Sequence, residues 1–268
     1  PLLAGALLIS LAGMIGWMAD RRHSQFMAGL AVLLAFYASA INPLTSFTLL
    51  SNAILGTATV VLMVRKRWMV LPFLALAATY GSYIHWQVTG IWQLREFPAA
   101  HLSDLATRLT FLSVYWCIFT AGAFLVNGPG ISAAVRVVFS TLNDAAFFCL
   151  AAIAVTSRGN DSLWVVALVF GLVQLALSLT ARTAFGSGSA PGAAWLAKAL
   201  FFLTLALLTR FTGNSLAIIL AVESSLLVFA ARQLPSPVLA ASGPIAGVLA
   251  TLAGMVSLSE AGGAGAAG

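Results

Sequence analysis

The sequence is short of charge. Only 7% of its 268 residues are Asp, Glu, Lys or Arg, against about 25% in a soluble globular domain. A soluble fold of this length could not cover its surface with so few polar groups. Cysteine is scarce too. Cys117 and Cys149, the only two, lie in apolar runs without a partner at metal or redox spacing. That excludes a disulfide scaffold and reads both as small buried hydrophobes. There is no G-x-S-x-G, no Walker loop and no H-E-x-x-H, so the known nucleophilic and phosphate chemistries have no motif here. The histidines lack a Glu-x-x-His or His-x-x-x-His companion. No metal site and no cofactor is expected.

What the chain has in excess is apolar. Alanine, the aliphatics, aromatics, Met and Cys make up 61% of it, and the mean hydropathy is +1.01. The sequence therefore predicts a polytopic integral membrane protein and excludes a disordered chain. The net charge of +6 suggests nucleic acid only at first sight. In a membrane protein Lys and Arg gather in cytoplasmic loops and fix orientation, so no nucleic-acid partner is expected.

A helix needs about 20 apolar residues to cross the hydrocarbon core. Charges and turn residues divide the chain into ten such stretches: 2–19, 25–41, 46–64, 69–86, 109–126, 133–156, 163–181, 194–208, 214–231 and 237–258. Backbone in lipid must bond internally, so these are helices, and alternating barrel segments are absent. The predicted fold is all-α, a transmembrane bundle of about ten spans built from short helical hairpins. It forms a single domain over 1–258, with a Gly/Ala-rich tail over 259–268. The start at Pro1 and the ending SEAGGAGAAG suit an excerpt of a longer protein.

Odd-numbered connections and their helix ends hold nine Lys and Arg: Arg21, Arg22, Arg65, Lys66, Arg67, Arg136, Arg182, Lys198 and Arg232. Even-numbered ones hold four: Arg95, Arg108, Arg158 and Arg210. The odd side is then cytoplasmic and both termini face the periplasm. The one long polar connection, 93–108, lies on the outer side.

Ionisable groups inside spans are the default functional candidates, because each costs several kcal/mol unless paired or wet. Glu223, in ILAVESSLLVF, reads as a proton or cation relay, a substrate-binding carboxylate, or a carboxyl that glues helices together. The last outweighs the others. Asp144 follows Asn143 in the sixth span, with Arg136 a further two turns back. Asp144 is offset from the Arg136 face by about 80°, so its partner is expected on another helix. A second candidate site is the outer loop, with His101 and an ordinary surface pair between Asp104 and Arg108 at i, i+4. Tyr80, Tyr83 and Gln87 stripe one face of the fourth span and read as interfacial anchors ahead of the alternative, the lining of a polar cavity. Gly243, Gly247 and Gly254 form a GxxxG-type face for close helix packing.

Three stretches, 51–78, 142–170 and 221–243, share a rhythm of a small or polar group, apolar residues, a short basic turn and a returning helix. This suggests hairpin duplication. The hairpin SNAILGTATVVLMVRKRWMVLPFLALAATYGSYIHW and the segment GNSLAIILAVESSLLVFAARQLPSPVLAASG resemble the bacterial membrane proteins grouped as domain of unknown function 2339. Glu223 matches that family's late x-x-Glu element, although no Trp precedes it in its span. The resemblance implies many short hairpins with basic tips in an inner membrane, and supplies no mechanism.

Three functions fit these features. The first is a non-catalytic structural or accessory subunit of an inner-membrane complex, whose partners are membrane lipids and other membrane-protein subunits. The alternatives are a transporter of a small solute or ion using Glu223 and Asp144, and a membrane enzyme acting on lipid-linked substrates through the outer loop.

Overall fold

A computed structural model describes Met14 and residues 24–40, 45–96, 105–126, 132–157, 162–186, 188–233 and 237–265. Among these residues every regular element is a helix, nine in all. They are α1 (Gln25–Ala40), α2 (Thr45–Lys66), α3 (Val70–Glu96), α4 (Leu105–Leu125), α5 (Ala133–Thr156), α6 (Leu163–Phe185), α7 (Ala190–Arg210), α8 (Gly213–Gln233) and α9 (Pro237–Gly265). By length and composition, five stretches can cross a hydrocarbon core: Thr48–Lys66, Leu105–Leu125, Ala133–Thr156, Leu163–Phe185 and Ala190–Arg210. Shorter apolar helical stretches cover Gln25–Ser39, Gly213–Phe229 and Ala241–Met255. This is the build of a helical membrane bundle.

The distribution of side chains agrees with that setting. Phe26 (82% exposed), Ile218, Phe229 and Met255 stand on the outside, while Asn52, Asn143, Asp144 and Gln174 are buried. In water this pattern would carry a large hydration penalty, whereas lipid covers an apolar exterior at no such cost. Cys117 and Cys149, expected in the interior, are exposed on α4 and α5. A small apolar side chain gains little from choosing the core when the outside is hydrocarbon as well.

The chain divides into two compact units, Pro1–Ala154 and Val155–Gly268. In the first, α1 packs on α2 and α3, α2 on α3 and α4, and α3 on α4. Helix α5 adds aromatic contacts, with Phe139 edge-on to Phe73 and to Phe119, and Phe147 against Trp116. In the second, α6–α7 and α8–α9 are tight hairpins, and α7 also meets α8 and α9.

Local chemistry explains the ends. Helix α2 stops where Arg67 takes φ 58° and its N–H returns to the Met63 carbonyl at 2.9 Å, a left-handed cap closing the basic tip. Ser189 caps α7 by accepting from the Gly192 N–H, with Pro191 in the first turn. That cap starts α7 at Ala190, ahead of the expected start at 194. Helix α3 runs on to Glu96, well beyond the expected end at 86, because no proline interrupts the segment before Pro98. Helix α9 reaches Gly265 and so includes most of the segment expected as a tail. Its scattered glycines lower helix propensity without ending the helix.

Candidate functional site

The densest polar arrangement in the first unit joins α3, α4 and α5. Asn143 on α5 is fully buried and uses its whole amide. Its Oδ1 accepts from the Tyr80 hydroxyl at 2.7 Å. Its Nδ2 donates to the Trp116 carbonyl at 3.1 Å and to Thr120 Oγ1 at 3.0 Å. Beside it, Asp144 Oδ1 accepts from the Trp116 indole N–H at 2.6 Å. Trp116 and Thr120 are one turn apart on α4, so a single face of that helix meets both α5 side chains. Asp144 thus has a partner on another helix. Arg136, two turns earlier on α5, donates to the Val126 carbonyl beyond the end of α4.

Above this layer a second set ties α2, α3 and α4 together. Tyr115 O–H donates to the Leu49 carbonyl at 2.7 Å, Tyr83 O–H to the Arg108 carbonyl at 3.2 Å, and Asn52 Nδ2 to Ser82 Oγ at 3.0 Å. Tyr80, Tyr83 and Gln87 are buried rather than placed as interfacial anchors, because their stripe turns inward against α4 and α5. Arg108 is only 2% exposed, with its guanidinium 5.5 Å from the Trp86 ring centroid. The surface role expected of it is therefore corrected. An aromatic face beside the guanidinium helps to accommodate it. Its expected partner Asp104, and His101, lie outside the described residues.

In the second unit Glu223 is half-buried on α8 and accepts from Thr204 Oγ1 of α7 at 2.7 Å. Its Oε2 is buried without a hydrogen-bond partner. The next residue, Ser224, donates to the Gly243 carbonyl of α9 at 2.8 Å. A Cβ built on Gly243 would stand 2.7 Å from Val228 Cγ2, and one on Gly247 3.0 Å from Ser224 Oγ. The glycine face therefore lets α9 approach α8 inside one chain. Gly254 is roomier, its nearest neighbour being Ala217 Cβ at 3.8 Å. Gln174 is fully buried, yet neither amide atom forms a hydrogen bond.

The candidate residues inside spans fall in both units. Asn143 and Asp144 form one cluster, Arg136 sits at the end of their helix, and Glu223 belongs to the other unit. Sequence reasoning passed over Trp116, Thr120 and Thr204. The usable signal for Trp116 is that a buried indole N–H seeks an acceptor. Among the described residues no group of three His, Cys, Asp or Glu side chains is placed to hold a metal. What these contacts do chemically is cross-link helices.

No family model, curated protein or solved structure matches the chain.

Proposed function

We propose that this protein is a multi-pass component of a bacterial inner membrane, with about ten spans and periplasmic termini. In this reading it acts without catalysis, as a structural or accessory subunit of a membrane complex. One observation carries the proposal. The two carboxyls inside spans, Asp144 and Glu223, each accept a hydrogen bond from a neighbouring helix. Carboxyls held in this way join helices, where a solute relay needs them open to a watery path. The resemblance to domain of unknown function 2339 supports the bacterial setting, and the Lys and Arg distribution supports the orientation.

The test is purification from membranes in mild detergent, with mass spectrometry of co-purifying proteins and lipids, followed by reconstitution with a pH-sensitive dye inside the vesicles. The expected outcome is a constant ratio to one or more other membrane proteins, and no proton flux. A lone monomer whose proton-coupled solute uptake is lost in Glu223→Gln would overturn the proposal in favour of a transporter.

A further inference from the structure

A groove of about 630 Å³ lies between α7 and α9, inside the roughly 300–1,000 Å³ of small-ligand sites. Its α7 wall runs from Ala197 to Leu208, about 16 Å of helix. Phe201, Leu205, Ile245 and Leu249 are typical of the lining, and the polar residues in it are Thr204 and Ser242. Thr204 is the informative one. Its hydroxyl proton is committed to Glu223 Oε1 at 2.7 Å, so the oxygen has lone pairs alone to offer the groove. Donation to a carboxyl also polarises that oxygen and makes it a better acceptor.

We propose that this groove binds a membrane-borne amphiphile with a long apolar body and a neutral hydroxyl, whose O–H donates to Thr204 Oγ1. A bare acyl chain would fill the volume but make no use of the polarised acceptor. At Thr204 an ester or ketone oxygen would set lone pair against lone pair. An anionic headgroup would approach the Glu223 carboxyl, a group of the same sign. A hydroxyl is complementary to an acceptor that stands in front of an acid. The inference needs the membrane setting but not the subunit reading, and its test contains no complex or transport measurement.

The full chain in lipid nanodiscs is irradiated with a diazirine-bearing hexadecanol or with its methyl ether, which has the same apolar body and no donor. The alcohol is expected to label segments 197–208 and 241–249 about five-fold more than the ether, the worth of one neutral hydrogen bond. Thr204→Val keeps the branched shape and brings the two probes to parity, whereas Thr204→Ser restores the preference. Ala241→Phe fills the groove from α9 without touching the Thr204–Glu223 bond, and lowers labelling by both probes. Equal labelling by alcohol and ether in the unmodified protein would overturn the proposal and make the groove a plain lipid-facing surface. Labelling insensitive to Ala241→Phe would overturn it by placing the amphiphile elsewhere.

Discussion

At the residue scale the decisive feature is Asn143, whose amide serves three partners on two helices. Removing it leaves Tyr80 O–H and Thr120 Oγ1 facing apolar surroundings, so the cost is the lost bonds plus stranded polar groups. Asn143→Leu is expected to lower stability in detergent by about 1–3 kcal/mol, read by thermal unfolding followed with far-UV circular dichroism. Tyr80→Phe removes one of these bonds and should cost less. In a double-mutant cycle the pair should couple by about 0.6 kcal/mol, the average for hydrogen bonds between membrane helices. A coupling of zero would show that Tyr80 and Asn143 do not bond in the membrane.

At the element scale the glycines of α9 separate by what faces them. A methyl at Gly243 meets Val228 Cγ2 at 2.7 Å and the Val228 backbone nitrogen at 3.2 Å, whereas one at Gly254 finds ordinary contact. Gly243→Ala should therefore loosen the α8–α9 hairpin, by about 1–3 kcal/mol as for other overpacked cores, and Gly254→Ala should be neutral. Val228→Ala should recover part of the Gly243→Ala loss, since it removes the first clash but not the backbone one. Thermal melts of the four variants check this, and equal effects at both glycines would contradict the packing described.

The helices were readable because charges and turn residues punctuate them. The expected span 133–156 coincides with α5 (Ala133–Thr156), and 163–181 falls within α6 (Leu163–Phe185). What escaped was which face turns inward. In lipid both faces of a span are apolar, so the amphipathic contrast that marks the core side in water is weak. Arg108, expected in a surface pair with Asp104, and Tyr83, expected at the interface, are both buried. Trp116 with Asp144, and Thr204 with Glu223, are contacts between helices, and nothing in the spacing along one helix announces them.

At the scale of the whole molecule, the described helices place polar groups inside and hydrocarbon outside. The two cysteines are built-in reporters of that arrangement, since both are exposed on apolar helices. Nitroxides attached to Cys117 and Cys149 in liposomes should collide freely with dissolved oxygen and rarely with a water-soluble nickel chelate, as measured by power-saturation electron paramagnetic resonance. Strong nickel collision at either site would mean that its helix surface faces water and would remove that helix from the lipid-contacting set.

The same arrangement reverses the usual map of mutational tolerance. In a protein bathed in water, an outward Val accepts Ser or Lys with little effect, and the interior is the guarded region for apolar volume. Here the exposed Val169 and Leu172 on α6 can interchange with Ile, Phe or Met, because lipid makes no distinction among them. A Lys at such a position costs about 2–3 kcal/mol near the middle of the bilayer. Sequence drift is therefore free within one narrow alphabet over most of the outer surface. The positions held fixed by chemistry are the few small and polar ones at which helices touch.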